Sequence, residues 1–218
     1  MKITELYKKY LNYPIISTDS RNIKKDSIFI ALKGDNFNGN KYAEQAIKNG
    51  SKYAIIDDSS FKKNKNYIVV KDGLKCLQDL AKHHRDQLSI PVIAITGTNG
   101  KTTSKELINS CLSIELETAA TKGNFNNHIG VPLTILGVNK THQIAIIEMG
   151  ANHEKEISFL CEIAKPNYGI ITNIGKAHLE GFKDIEGVKK TKKELYDYIY
   201  KENGKIFINN NDNILNDI

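Results

Sequence analysis

The stretch Pro91-Val92-Ile93-Ala94-Ile95-Thr96-Gly97-Thr98-Asn99-Gly100-Lys101-Thr102-Thr103 decides the fold of this chain. It begins with a short apolar run, Val92–Thr96, and ends in a Gly-x-x-Gly-Lys-Thr-Thr turn. In the segment that follows, apolar residues recur at helical spacing: Leu107, Ile108, Cys111 and Leu112. The stretch therefore predicts a strand, a glycine turn and a helix, which is an arrangement that holds a polyphosphate.

The glycine turn predicts a binding loop for a nucleoside triphosphate. Backbone N–H groups and the positive end of the helix dipole would face the anion, Lys101 would add a point charge, and the Thr102 hydroxyl could reach Mg²⁺. The full P-loop pattern has glycine at position 95, where this chain has Ile95, so the prediction depends on the strand before the turn and the helix after it. The expected phosphate-binding residues are Gly97, Thr98, Asn99, Gly100, Lys101, Thr102 and Thr103.

Strand-like and helix-like segments alternate along the chain. The predicted strands are Ile28–Leu32, Tyr53–Asp57, Tyr67–Val70, Val92–Thr96, Gln143–Ile147, Tyr168–Ile171 and Lys205–Ile208. The predicted helices are 41–49, 74–88, 101–113, 153–163 and 187–200. This alternation predicts an α/β protein with mostly parallel sheets and helices on both faces. We expect a small N-terminal α/β substrate domain, 1–88, and a P-loop central domain, 89–218.

Composition excludes several classes of function. The chain has 218 residues, 40% of them hydrophobic, and a net charge of +6 from scattered lysines without an arginine-rich, aromatic-interleaved patch, so nucleic-acid binding is not predicted. No apolar run approaches the ~20 residues of a membrane span. No hydrophobic block follows Lys2, which argues against a signal peptide. The three scattered cysteines favour a reducing environment, so we expect a cytoplasmic protein.

Polar residues follow three of the predicted strands, where open parallel sheets bind their ligands. The first group is the glycine turn, and Glu148 follows the strand at Gln143–Ile147. Its carboxylate could hold Mg²⁺, which prefers oxygen ligands, or could simply cap the strand at the surface. The third group, Thr172–His178, ends in a histidine that is by itself either a ligand or a structural hydrogen-bonding residue.

Two further segments have both a functional and a plain structural interpretation. Thr121–Pro132 contains three asparagines and a histidine between glycines, which suits a polar, sugar-bearing ligand or a turn-rich connection. Thr18–Arg21 is either an anion site or an ordinary loop.

Taken together, these segments resemble the Mur ligases, the ATP-dependent amide-forming enzymes of peptidoglycan precursor synthesis. The loop that reads G-N-x-N-N-x-I-G-x-P-x-T and the element E-M-G-A are most similar to members that add D-alanyl-D-alanine, although those members often have F-D-G-H at positions 37–40, where this chain has F-N-G-N. The matching elements span nearly the whole chain: Thr18–Arg21, Phe29–Gly34, Ile95–Thr103, Gly123–Pro132, Glu148–Ala151, Asn173–His178 and Gly187–Leu195.

The resemblance implies a role for each matching residue of the central domain. Lys101 would contact the β- and γ-phosphates of ATP, and Thr102 would hold a first Mg²⁺. Glu148 would also bind magnesium, and His178 would bind a second ion. Lys192 matches the lysine that the family carbamylates, which would turn a cation that repels Mg²⁺ into a carboxylate-like ligand.

The resemblance also implies the substrates. Ser20 and Arg21 would contact the UDP moiety, and Asn124 and Asn127 would line the muramoyl-peptide channel. ATP would phosphorylate the terminal carboxylate of UDP-N-acetylmuramoyl-tripeptide, and the amine of D-Ala-D-Ala would attack the acyl phosphate. Family members have a third, C-terminal domain, so we expect this chain to be a monomeric N-terminal fragment, with a truncated central domain, that is inactive alone.

Three other readings remain open. The first is a sister ligase that adds the third residue, or a folylpolyglutamate-type enzyme. Testing which amino component supports ATP hydrolysis would distinguish these enzymes. The second is a non-catalytic UDP-sugar-binding module, for which Glu148, His178 and Lys192 together would be superfluous. The third is an unrelated P-loop NTPase, which would have no use for the loop at Gly123–Pro132.

Overall fold

The computed structural model describes residues 2–175 and 184–218. The chain divides into two compact units, Met1–His84 and Arg85–Ile218. Each unit is built around a parallel sheet of its own. The predicted α/β class is confirmed. Within the described residues, no helix combines the length and the apolar content needed to cross a membrane.

The first unit contains a four-stranded parallel sheet and a short antiparallel hairpin. Its strands are β1 (Ile16–Ser17), β2 (Ser27–Ile30), β3 (Lys33–Gly34), β4 (Phe37–Asn38), β5 (Ser51–Ile56) and β6 (Tyr67–Val69). Its helices are α1 (Ile3–Asn12), α2 (Ala43–Lys48) and α3 (Gly73–Arg85). The sheet order is β1-β2-β5-β6, and every residue of β2 is buried because this strand lies inside the sheet.

The second unit is a five-stranded sheet in which every pairing is parallel. Its strands are β7 (Val92–Thr96), β8 (Thr118–Ala120), β9 (Ile144–Glu148), β10 (Tyr168–Ile171) and β11 (Lys205–Phe207). Its described helices are α4 (Lys101–Leu112), α5 (Gly130–Leu136), α6 (Glu156–Ala164), α7 (Ile185–Lys201) and α8 (Asn213–Asn216). The order β11-β10-β7-β9-β8 puts β7 at the centre, where all five of its residues are buried.

Helices cover both faces of the second sheet. Ile93 and Ile95 of β7 belong to an apolar cluster against which Ile108 and Leu112 of α4 pack. Ala94, which faces the other way in the pleat, pairs with Gly169 of β10, and Gly169 lies against side chains of α7. A strand covered on both faces needs no polar alternation, which explains why β7 and β9 are continuous apolar runs.

The sequence missed three elements of the second unit, of which the short helix α8 is one. Strand β8 has only three residues, two of them alanine, so it carries no alternating pattern. Helix α5 begins at Gly130 and has Pro132 in its first turn, and both residue types usually mark a loop. Proline is tolerated there because the first N–H groups of a helix have no partner within the helix.

Gly130 is required by close packing at the start of α5. A Cβ atom at this position would overlap backbone atoms of Phe125. We therefore expect Gly130→Ala to lower the free energy of unfolding by ~2 kcal/mol or more, because a backbone segment has to move. Gly34→Ala is the matched control, since a methyl group there would meet nothing within 4 Å. Urea unfolding of both variants checks this, and equal midpoints for the two variants would contradict it.

Candidate functional site

The glycine turn joins the end of β7 to the start of α4. Gly97 has φ of +142°, and a Cβ atom there would overlap the Thr172 hydroxyl. Gly100 is the left-handed N-cap of α4, with φ of +75°. Only glycine adopts both backbone conformations without strain, so the turn can expose its N–H groups in front of the helix.

The segment after β10 holds this turn in place. Thr98 N–H donates to Asn173 O at 3.0 Å, and the Asn99 backbone exchanges two 3.0 Å hydrogen bonds with the Asn173 side chain. Thr172 Oγ1 donates to Asn99 O at 2.6 Å. The turn is therefore shaped by a neighbouring strand end and not by its own sequence alone.

Lys101 folds back over the turn that precedes it. Its Nζ donates to Gly97 O and to Thr98 O, both at 2.9 Å. Burial lowers the pKa of this ammonium, and the negative charge of Glu148 opposes that shift. The lysine is thus already pointed into the turn and satisfied by two carbonyl groups.

Glu148, the last residue of β9, is only 1% exposed and is held by three hydrogen bonds. Thr102 Oγ1 donates to Glu148 Oε2 at 2.9 Å, and Asn126 Nδ2 donates to Glu148 Oε1 at 2.8 Å. Its backbone N–H donates to Thr121 Oγ1 at 3.0 Å. The carboxylate is therefore fixed beside the first turn of α4, and the plain reading of a surface cap on the strand is excluded.

The Thr102–Glu148 pair fits a small hard cation. Magnesium takes oxygen ligands at 2.0–2.1 Å in an octahedron, which puts neighbouring ligand atoms about 2.9 Å apart. The hydroxyl and carboxylate oxygens here are 2.9 Å apart. Among the described residues, no group of three or more His, Cys, Asp or Glu side chains could hold a metal ion.

A cavity of about 440 Å³ opens in front of the turn. It is lined by residues from the glycine turn, from the loop Thr121–Pro132 (the asparagine-rich loop), from the segment after β9 and from helices α6 and α7. The predicted site residues among them are Gly97, Thr98, Lys101, Asn124, Asn127 and Lys192. Three segments far apart in the sequence, and predicted separately to bind ligands, thus share one cavity.

Lys192 lies on the wall of this cavity and is only 3% exposed. Burial, and secondarily the positive charge of Lys101, lowers the pKa of its ammonium to about 8. Helix α7 is fixed at this point by Glu194, whose carboxylate accepts from Lys155 N–H at 2.6 Å and from Ser158 N–H at 2.9 Å at the start of α6. At pH 7 about a tenth of Lys192 is therefore an uncharged amine.

The remaining predicted residues lie elsewhere. Thr103 is exposed on the first turn of α4. Ser20 and Arg21 belong to the first unit, where Ser20 is buried and the exposed Arg21 pairs with Asp19 at 2.8 Å. His178 lies outside the described residues.

Two residues of the site were not predicted individually. Asn126 binds Glu148, but it stands among several asparagines, and only the fold distinguishes it from Asn124 and Asn127. Asn173 follows β10 directly, and its position at a strand end was the available signal.

Comparison with known proteins settles the family. The chain matches the Mur ligase middle domain over residues 95–218 and the model described as Mur ligase family, catalytic domain, over residues 12–85. The chain belongs to the Mur ligase family. The first match covers the turn, the asparagine-rich loop, Glu148 and Lys192, which are the elements that line or border the cavity.

Relatives of known function are similar over most of this chain. The UDP-N-acetylmuramoyl-tripeptide–D-alanyl-D-alanine ligase of Haemophilus influenzae is 41% identical over 201 residues, covering 89% of this chain and 43% of the relative. The ligase of the same name from Bacillus subtilis is 38% identical, covering 88% of this chain and 43% of the relative. The chain thus spans less than half the length of these curated relatives.

Solved structures agree in fold. MurF from Acinetobacter baumannii superposes with a TM-score of 0.85 at 33% identity, covering 99% of this chain and 50% of that one. MurF ligase from Thermotoga maritima in complex with ADP gives a TM-score of 0.78 at 31% identity, covering 86% of this chain and 44% of that one.

The Asn126–Glu148 hydrogen bond predicts a stability effect. We expect Asn126→Ala to lower the free energy of unfolding by ~1–3 kcal/mol, because it leaves an oxygen of a buried carboxylate without its amide donor. Asn124→Ala, at an exposed position of the same loop, is the control and should change stability by less than ~0.5 kcal/mol. Chemical denaturation measures both, and equal losses would show that the hydrogen bond contributes nothing.

Lys192 predicts a pH dependence of stability. Its pKa is about 8 in the folded protein, below the ~10.4 of an unperturbed lysine, so between these pH values the unfolded chain binds more protons and stability rises with pH. Lys192→Met removes this contribution, so its stability advantage over wild type should shrink by about 1–2 kcal/mol from pH 7 to pH 9.5. Urea unfolding at both pH values tests this, and a constant difference between the proteins would refute the lowered pKa.

Proposed function

We propose that the protein carrying this chain is an ATP-dependent ligase that adds D-alanyl-D-alanine to UDP-N-acetylmuramoyl-tripeptide. The observation that carries the proposal is the cavity in which the glycine turn, the asparagine-rich loop and Lys192 meet, with the Thr102–Glu148 pair at the start of α4. Relatives named for this activity are 35–42% identical to the chain, and a solved relative is a complex with ADP.

The glycine turn would bind the phosphates of ATP. The N–H groups of Gly97–Thr103 lie at the start of α4, where the helix dipole favours an anion. Lys101 would exchange its two carbonyl acceptors for phosphate oxygens. Thr102 and Glu148 would hold Mg²⁺, which when bound neutralises charge that builds up on the transferred phosphoryl group.

Lys192 is suited to carbamylation. With a pKa of about 8, roughly a quarter of the side chain is the neutral amine at pH 7.5. The amine nitrogen would attack CO₂, forming an N–C bond and releasing one proton, and the product is a carbamate anion. The side chain would then present oxygen atoms and a negative charge to the cavity in place of an ammonium.

The reaction follows from what a carboxylate cannot do by itself. A carboxylate is a poor acyl donor, so its oxygen first attacks the γ-phosphorus of ATP, and ADP leaves with the electron pair of the broken P–O bond. The D-alanyl-D-alanine amine then attacks the acyl carbon, loses a proton and displaces inorganic phosphate to form the amide. Lys101 and the N–H groups of the turn would position the phosphates, which is the main requirement of such transfers.

The two units would divide the substrates. The first unit would bind the UDP moiety through Ser20 and Arg21, and the second would bind ATP and, through Asn124 and Asn127, the muramoyl peptide. Arg21 now forms two hydrogen bonds with Asp19, holding the pKa of that carboxyl at about 2. A diphosphate could replace this carboxylate as the partner of the guanidinium. Two of the three proposed substrates, ATP and the UDP compound, are nucleotides, and we propose that the protein acts on them in the cytoplasm.

Calorimetric titration tests the assignment. We expect the chain to bind ADP in the presence of Mg²⁺. We also expect it to bind UDP-N-acetylmuramoyl-tripeptide more tightly than UDP-N-acetylmuramoyl-dipeptide. Lys101→Ala should weaken ADP binding by about tenfold or more, because it removes a charged donor to phosphate, whereas Lys140→Ala, at an exposed position, should not.

The other outcomes discriminate between functions. Tighter binding of the dipeptide form would favour a sister ligase that adds the third residue. Binding of ADP without either UDP compound would leave the family assignment intact and contradict the proposed role of Ser20 and Arg21.

A further inference from the structure

Lys105 is a second lysine of α4, one helical turn after Lys101, and its side chain is 0% exposed. Lysine is almost never fully buried unless it is paired, because removing an ammonium from water costs several kcal/mol. The proposed chemistry of the cavity makes no use of this residue, which does not line the cavity. Its burial therefore calls for a role of its own.

The Lys105 ammonium binds the chain segment that follows β8. Its Nζ donates to Thr121 O at 2.7 Å, and it is 2.6 Å from Glu106 Oε1. The Glu106 side chain is 59% exposed, so this ion pair is largely solvated and contributes little. The interaction with Thr121, which is 2% exposed, is the buried one.

Thr121 directly follows β8 and is hydrogen-bonded both to β9 and to α4. Its N–H donates to Ile146 O at 3.0 Å, its Oγ1 accepts from Glu148 N–H at 3.0 Å, and its carbonyl accepts from Lys105. Five residues later, Asn126 donates to the Glu148 carboxylate. Lys105 thus ties α4 to the same short segment that holds Glu148 from both its backbone and its side chain.

We propose that Lys105 is a positioning residue for the cation site: by binding the Thr121 carbonyl it sets the distance between α4, which carries Thr102, and the segment that holds Glu148. This inference rests on the proposed function, because it assumes that Thr102 and Glu148 hold Mg²⁺ together with nucleotide. Hard-cation sites tolerate little displacement of their ligands. A small shift of α4 would therefore weaken the binding of Mg²⁺ more than the binding of the nucleotide phosphates.

The test compares the affinity for ADP with and without Mg²⁺ in the complete chain. For Lys105→Met we expect the gain in affinity that Mg²⁺ confers to fall by about tenfold, while affinity for metal-free ADP changes by less than about threefold. Glu106→Gln, which removes the exposed partner of Lys105, should keep the full gain. Lys105→Arg retains a charged donor and should keep part of the gain in ADP affinity that Mg²⁺ confers.

A ligand-free measurement separates this inference from the proposed function. Hydrogen exchange of the amides at 121–126 and at Glu148 should be faster in Lys105→Met than in Glu106→Gln. If Lys105→Met does not fold, Lys105→Gln replaces it: its shorter, uncharged side chain also removes the ammonium that binds the Thr121 carbonyl, and it should lower the Mg²⁺ gain in the same way.

Each outcome decides a different question. An unchanged Mg²⁺ gain in Lys105→Met, or in Lys105→Gln where that variant replaces it, overturns the positioning role alone, as does unchanged exchange at 121–126. Failure of the wild-type chain to bind ADP overturns the proposed function and this inference with it. Loss of metal-free and metal-dependent affinity in equal measure would assign Lys105 a purely structural role.

Discussion

The site depends on a carboxylate that is buried at the edge of a sheet. Glu148 ends a fully buried strand, and a carboxylate is tolerated there because Thr102 and Asn126 donate hydrogen bonds to its two oxygens. These donors come from α4 and from the asparagine-rich loop, and the Thr121 hydroxyl of that loop also accepts from the Glu148 backbone N–H. Satisfying one buried residue therefore fixes α4 and the loop relative to the end of β9, and the cavity opens beside them.

The sequence predicted the parts of this site that are encoded locally. Strand β7 and the glycine turn could be predicted because an apolar run, two glycines and a lysine follow each other within a few residues. Glu148 could be singled out because it follows an apolar run directly. The role of Asn126 and the burial of Lys105 could not be predicted, because each depends on which segment lies beside the residue in the fold. Neighbouring asparagines and lysines have the same local sequence pattern.

Lys101 and Lys192 both line the cavity, and burial lowers the pKa of each ammonium. The positive charge of Lys101 lowers the pKa of Lys192 further, while Glu156, which also lines the cavity, opposes that shift. Because two neighbouring cations disfavour each other, this arrangement would favour an anion as ligand. The lowered pKa would also prepare the Lys192 amine for the proposed reaction with CO₂.

The bonds that Lys101 makes to its own turn have a consequence for selectivity. Because the ammonium already has two carbonyl acceptors, an incoming anion exchanges hydrogen bonds and gains no new ones from the lysine. A single phosphate ion would reach few further donors, whereas a polyphosphate would also reach the N–H groups along the turn. The carbonyl groups of the turn would therefore act as weak competitors for the lysine, and the proposed site would favour a polyphosphate over a single phosphate ion.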